Sequence, residues 1–181
     1  MHRRNLLSAI DDYALRYPEE IGVVQRFRVL LENHSDCFER DCWSGHITGS
    51  AWLVSPDQQH VLLTHHRKLN MWLQLGGHSD GDSKTDAVAV REATEESGLS
   101  VQLLQKNIFD LDVHEIPARK NDPAHYHFDV RYQLKATDEK FRISAESLDL
   151  AWVKIDELER YTEEESILRM RRKWYESNSR D

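Results

Sequence analysis

Acidic side chains recur along one short segment of the 181-residue chain. Glu92, Glu95 and Glu96 are spaced so that a helix would carry them on roughly one face. Like charges at these spacings destabilise a helix by up to about 0.5 kcal/mol per pair, so we expect the three carboxylates to have a function. Clustered carboxylate oxygens are ligands for a hard divalent cation such as Mg²⁺ or Mn²⁺.

The same segment, residues 75–99, has glycines at both ends. The pair Gly76-Gly77 precedes a short acidic loop at residues 79–83, and Gly98 ends the helical period. Glycine lets the backbone turn sharply and approach a ligand closely. The segment therefore predicts a turn, a loop and a helix that together present acidic groups.

This segment resembles the signature of the Nudix hydrolases, G-x5-E-x7-R-E-U-x-E-E-x-G-U, in which U is a bulky aliphatic residue. The residues that match it are Gly77, Arg91, Glu92, Glu95, Glu96, Gly98 and Leu99. Two positions depart: Ser83 stands where the family has its first Glu, and Ala93 where it has a larger aliphatic residue. A serine does not supply the missing charge, so Asp80 and Asp82 are candidate replacements.

The resemblance implies a metal-dependent hydrolase that cleaves a diphosphate bond in a nucleoside diphosphate linked to another moiety. By position, Glu92, Glu95 and Glu96 would bind Mg²⁺ (or Mn²⁺), the backbone carbonyl of Gly76 would be a further ligand, and Arg91 would hold the acidic cluster in place. A water attacking the diphosphate needs a general base.

Several residues are candidates for catalysis and for that base. Arg91, Glu92, Glu95 and Glu146 are our catalytic candidates. The candidates for the general base are Glu92, Glu146, His125, His127 and Asp129. The sequence does not favour one of them over the others.

A strand is predicted at residues 126–134, where polar and apolar side chains alternate. Period 2 places His125, His127 and Asp129 on one side. That side is either exposed to solvent or lines the active cleft, and we favour the cleft. We expect the loop half of the Nudix segment, the part before its helix, to face this strand. It could supply a base, a metal ligand or substrate contacts.

Further candidate substrate contacts lie beside the acidic loop. A basic cluster at residues 66–68 follows a predicted hairpin and could hold phosphates; the alternative is a solvated hairpin end. The full set of candidate substrate contacts is His66, Lys68, Trp72, His78, Arg119, His125, His127 and Asp129.

The resemblance implies an α/β fold, a Nudix-type α/β/α sandwich with a mixed sheet, over residues 45–176. Residues 4–33 read as two helices within an N-terminal extension at residues 1–44. Before the Nudix segment we predict a hairpin at residues 46–65 and a short strand at 71–73. After it we predict one or two strands at 101–114, a last strand at 150–153, a helical turn at 155–161 and a C-terminal helix at 162–175.

One further histidine and cysteine set precedes the hairpin. His34, Cys37, Cys42 and His46 offer zinc-ligand types, but their spacing matches no common structural zinc pattern. We favour a linker with partly buried thiols.

Two other functions compete with hydrolysis. Gly76-Gly77-His78 resembles the Cys-Gly-His of isopentenyl-diphosphate isomerases, which share the fold and use that histidine as a metal ligand. Here Gly76 occupies the place of their catalytic cysteine. The second alternative is a catalytically inactive Nudix-fold protein with a ligand-binding or regulatory role.

Composition limits the partners. A net charge of −8 argues against stable nucleic-acid binding and leaves a small nucleotide or diphosphate substrate open. No apolar run approaches the roughly 20 residues of a membrane span. Because the chain has only two cysteines, we expect reduced thiols and a cytoplasmic location. A homodimer is a further expectation, which rests on analogy with other proteins of this fold.

Overall fold

The structure is a computed structural model that describes residues 2–67, 69–119, 122–143 and 147–178. Its helices are α1 (Arg3–Arg16), α2 (Ile21–Asn33), α3 (Thr85–Ser97) and α4 (Glu165–Asn178), with 3₁₀ turns at Pro18–Glu20 and Ile155–Arg160. Its strands are β1 (His46–Val54), β2 (His60–His66), β3 (Met71–Leu73), β4 (Leu75–His78), β5 (Val101–Leu103), β6 (Asp110–Ile116), β7 (His125–Ala136) and β8 (Ser147–Lys154). Within these ranges, no helix has the length and apolar character needed to cross a membrane.

The strands form one mixed sheet. β1 pairs in parallel with β7 along its whole length. The other edge of β1 pairs antiparallel with β4 and, at Val54, with β2. β2 in turn pairs antiparallel with β3 and β8. The other edge of β7 pairs antiparallel with β5 and β6. The mixed sheet expected from the sequence is confirmed.

Both faces of β1 are buried, which divides its side chains between two apolar clusters. Ala51 and Leu53 join a cluster that contains residues of α1, α2 and α3. Trp52 and Val54 join a second cluster with residues of α4 and the turn before it. Successive side chains of a strand point to opposite faces, so helices cover both sides of the sheet. The predicted α/β/α sandwich is confirmed.

The N-terminal helices pack into the same core as the sheet. Ile10, Tyr13 and Phe27 are fully buried, and the Phe27 ring meets the Phe128 ring edge-on at 5.2 Å between centroids. The extension therefore contributes directly to the main core. The domain boundary at residue 44 stays a sequence-based prediction.

Helix α3 lies close against the sheet. A Cβ added to Gly49 of β1 would lie 2.8 Å from the Thr85 carbonyl oxygen, so a glycine at this position permits the close approach. The helix ends at Gly98, which has a left-handed φ of 69° and whose N–H donates to the Thr94 carbonyl. The stop predicted at Gly98 is confirmed.

A buried charge network fastens α4 to β6 and β7. The Asp110 carboxylate is fully buried and accepts hydrogen bonds from Arg131 (3.0 Å), Arg169 (2.7 Å) and Lys173 (2.6 Å). Burial alone would raise the pKa of Asp110, but the three cations outweigh it and hold that pKa below its usual range. Lys173 also donates to the Tyr13 hydroxyl at 2.5 Å, which ties α1 to the network.

Replacing the carboxylate at the centre of this network should destabilise the fold. Asp110→Asn leaves three cations with one anion fewer, and removing one partner of a buried pair costs about 3–5 kcal/mol in the free energy of unfolding. The matched control is Asp11→Asn, which removes an exposed ion pair with Arg28 and should cost less than about 1 kcal/mol. Denaturant unfolding followed by tryptophan fluorescence measures both. Equal losses in the two variants would contradict the assignment.

Candidate functional site

The glycine pair of β4 lies in a narrow layer between two polar side chains. A Cβ added to Gly76 would overlap the Ser50 side chain, and a Cβ added to Gly77 would overlap the Glu92 carboxylate. The two glycines therefore let β4 pass between Ser50 of β1 on one face and Glu92 of α3 on the other. This explains the Gly-Gly pair by close approach of side chains to backbone.

Arg91 connects the start of the acidic loop to α3. Its Nη2 donates to Glu92 Oε1 at 2.8 Å and to the His78 carbonyl at 2.7 Å, and its Nε lies 3.2 Å from the same Glu92 oxygen. The Glu92 side chain is mostly buried, with 17% of its surface exposed. These contacts support the predicted role of Arg91 in holding the acidic cluster, and Glu92 in particular.

The aspartates of the loop have partners other than the α3 glutamates. The Asp80 carboxylate receives two hydrogen bonds from Arg40, at 2.6 and 2.7 Å, which lower the pKa of Asp80. Asp82 accepts the Lys84 backbone N–H at 2.9 Å, directly before α3 begins. The expectation that these two aspartates replace the charge missing at Ser83 is therefore corrected: one neutralises Arg40 and the other shapes the loop.

Glu92 and His78 lie on opposite faces of the sheet. Gly77 faces Glu92 on the α3 side, and strand alternation sends the next side chain, His78, to the α4 side. There its ring centroid lies 5.1 Å from that of His127 on β7. The loop half of the segment thus faces the His-x-His-x-Asp strand as expected, but Glu92 does not share that face.

On the α4 side, the Asp129 carboxylate accepts hydrogen bonds from four neighbouring side chains. Its carboxylate accepts hydrogen bonds from Thr48 (2.8 Å), Ser50 (2.6 Å), Gln74 (3.0 Å) and Arg131 (2.7 Å). Four hydrogen bonds fill the acceptor capacity of a carboxylate. The predicted substrate contact or base at Asp129 is therefore corrected to a role in holding together β1, β7 and the link between β3 and β4.

At the end of the same row the structure gathers histidines. His125 and His127 of β7 lie near His46 of β1, with ring centroids 4.9 and 4.8 Å from that of His46. His78 lies 5.0 Å from His46. His125 is only 7% exposed, so the solvent-exposed alternative for this face is wrong. The sequence placed His46 at the start of a strand but did not assign it to this site.

The remaining candidate contacts are more dispersed. Trp72 stacks on His65 with centroids 5.0 Å apart and meets Tyr161 edge-on. His66 Nδ1 accepts the Leu69 backbone N–H, which shapes the turn after β2. Arg119 is exposed in the loop between β6 and β7, where its backbone pairs with Asp122. Lys68 and Glu146 lie outside the described residues, so their roles stay predictions.

The histidine and cysteine set before the hairpin is not assembled as one site. Ligand atoms of His34, Asp36 and Cys42 lie within 4.8 Å of one another, but His46 belongs to the other cluster. Cys37 is fully buried, and burial raises the pKa of its thiol to about 12. The preferred interpretation, a linker with buried thiols, agrees with this geometry.

The donor set around β4 and α3 is compatible with Mg²⁺. The Glu92 carboxylate is held against Gly77 of β4, and Glu95 and Glu96 follow one turn along the same helix. Carboxylate and carbonyl oxygens are what Mg²⁺ prefers. In the described part of the chain these three glutamates do not form a set with all ligand oxygens within 4.8 Å of one another.

Comparison with solved structures supports the fold. A hydrolase of the NUDIX family from Clostridium perfringens is 25% identical, with a TM-score of 0.58, over 71% of this chain and 95% of that one. An Ap4A hydrolase from C. elegans, solved as a binary complex, is 13% identical with a TM-score of 0.57 over 75% and 98%. The NUDIX domain of NrtR from Shewanella oneidensis, solved with ADP-ribose, is 17% identical with a TM-score of 0.54 over 83% and 97%.

A search of curated protein sequences found no match. The sequence model of the NUDIX domain, however, matches residues 45–174, which is most of the chain and includes β1, β4, α3 and β7. Because that match extends over the elements that position Arg91, Glu92 and the glycine pair, the chain belongs to the NUDIX domain family of hydrolases.

Proposed function

We propose that the protein hydrolyses a diphosphate bond in a nucleoside diphosphate linked to another moiety, with a divalent cation held at α3. The observation that carries the proposal is the fixed position of Glu92 against Gly77, secured by Arg91. The NrtR domain with ADP-ribose and the Ap4A hydrolase are neighbours whose named ligands are of this chemical class.

Each residue has a distinct part in this proposal. Glu92, Glu95, Glu96 and the Gly76 carbonyl would hold Mg²⁺ (or Mn²⁺), which when bound neutralises diphosphate charge and polarises the bond that breaks. Arg91 is a positioning residue, since it bonds Glu92 and the His78 carbonyl at once. Its guanidinium also offsets the repulsion between neighbouring carboxylates.

The geometry disfavours the isomerase alternative. That reaction relies on a cysteine at the position of Gly76, and here any side chain at this position would overlap Ser50. Cys37 and Cys42 are both buried, and burial raises the pKa of each thiol, which disfavours the reactive thiolate. Neither cysteine therefore offers the reactive thiolate that the isomerase reaction needs.

Removing a carboxylate from α3 should abolish turnover. Glu96→Gln keeps the size of the side chain but removes a charged ligand, so we expect hydrolysis to fall on the order of 100-fold or more. The measurement is phosphate or nucleotide release from a panel of nucleoside diphosphate compounds with Mg²⁺ or Mn²⁺. The matched control is Glu32→Gln, an exposed glutamate of α2, which should keep wild-type activity.

Two results of that panel would count against hydrolysis at this site. Turnover by Glu96→Gln at the wild-type rate would remove the α3 carboxylates from the reaction. Binding of ADP-ribose or another panel compound without any turnover would instead support the inactive, ligand-binding alternative.

A second variant separates the site from the fold. In Gly77→Ala the added methyl group meets the end of the flexible Glu92 side chain, so the carboxylate moves while the backbone stays. We expect hydrolysis to fall by about 100-fold, since a shift near 1 Å is enough for such a loss. Unfolding measurements should show a change of less than about 1 kcal/mol.

The control for this variant is Gly22→Ala in α2, where an added methyl group meets nothing within 4 Å. It should leave activity unchanged and gain up to about 1 kcal/mol in stability. Gly77→Ala with full activity would show that the position of Glu92 does not matter. The homodimer and the cytoplasmic location stay predictions.

A further inference from the structure

The histidine cluster on the α4 side is separate from the glutamates of α3. It comprises His46 from β1, His78 from β4, and His125 and His127 from β7. Ligand nitrogens of His46, His125 and His127 all lie within 4.8 Å of one another. Nitrogens bound to one tetrahedral Zn²⁺ at the usual bond length lie about 3.3 Å apart, so the set would contract by up to about 1.5 Å on binding an ion.

His46 is the unusual member of the cluster. It is 1% exposed, and neither of its ring nitrogens makes a hydrogen bond of normal distance and angle, although the Cys42 backbone is close enough to act on the ring. Leaving a buried polar group without a partner costs about 1–3 kcal/mol, and such groups are uncommon in native structures. A partner other than protein would stabilise an imidazole buried in this way beside three others. A metal ion is a partner that an imidazole lone pair can bind.

His125 is oriented in the way that metal-binding histidines are. Its Nδ1 lies 2.8 Å from the Pro123 carbonyl oxygen, to which it donates its proton. A ring that donates from Nδ1 carries its lone pair on Nε2. A hydrogen bond of this kind from the second nitrogen is the usual support for a ligating histidine.

The donor type selects the metal. Three imidazole nitrogens without a carboxylate favour a first-row transition metal over Mg²⁺, which prefers oxygen. Three protein ligands leave one tetrahedral position for water or a substrate oxygen. His78 borders the trio, with its ring centroid 5.0 Å from that of His46.

We propose that His46, His125 and His127 form a second metal site, for Zn²⁺ or a similar transition-metal ion, distinct from the Mg²⁺ site at α3. The site lies on the other face of the sheet from Glu92. It needs no hydrolysis to exist, so its test does not depend on the proposed function.

Metal binding by the full chain tests the proposal directly. Zn²⁺ is titrated against a chromophoric chelator with excess Mg²⁺ present, and Co²⁺ is followed in parallel by its visible absorption. We expect one Zn²⁺ per chain and a Co²⁺ spectrum typical of four-coordinate nitrogen ligation. His46→Gln, His125→Gln and His127→Gln should each weaken Zn²⁺ binding about tenfold or more. The control His60→Gln, at the start of β2, should bind as the wild type does.

Several outcomes would overturn this site. They are the absence of Zn²⁺ binding by the wild type, unchanged binding by the histidine variants, and loss of binding in Glu96→Gln, which would assign the ion to α3. Circular dichroism checks the fold of each variant. Should the variants not fold, X-ray absorption at the zinc edge of the wild-type protein decides: a nitrogen shell supports the proposal and an oxygen-rich shell refutes it.

Discussion

The parallel pairing of β1 with β7 is the constraint on which the rest of the structure depends. Nine residue pairs, from His46 with His127 to Val54 with Lys135, hold the two strands at the centre of the sheet. Because both faces are buried, every side chain of β1 must suit the face it meets. A slip of one residue would exchange the two faces, so the register is fixed by the apolar residues at one end and the polar residues at the other.

The polar end of this pairing shows how a sheet satisfies buried charges. Asp129 is bonded by four donors, and Asp110 is surrounded by Arg131, Arg169 and Lys173. Buried carboxylates are tolerated only when their hydrogen bonds are made. The two ring nitrogens of His46 lack such bonds, as does Trp52 Nε1 on the same face of β1. The histidine end of this row is where we propose that a metal ion completes the bonding.

Local sequence patterns predicted the elements but not the pairings. The period of α3, its stop at Gly98 and the alternation of β7 depend on residues that are neighbours in sequence, and these predictions were confirmed. The pairing of His46 with His127 joins positions far apart in the chain, and no local pattern contains it. The ion pair of Arg169 with Asp110 is similarly distant in sequence, and no local pattern indicates it. Asp80 was a candidate to replace the charge missing at Ser83 because the sequence does not show that Arg40 lies beside it.

The two donor sets are separated by only the backbone of β4. Gly76 meets Ser50 on one side and Gly77 meets Glu92 on the other, and no side chain thickens the strand between them. Oxygen donors lie on the α3 side and nitrogen donors on the α4 side, so each side favours a different class of metal ion. Arg91 spans the division, because one nitrogen donates both to Glu92 and to the His78 carbonyl. The position of the Glu92 carboxylate, which we propose as a metal ligand, is thus tied through Arg91 to the position of the backbone at His78.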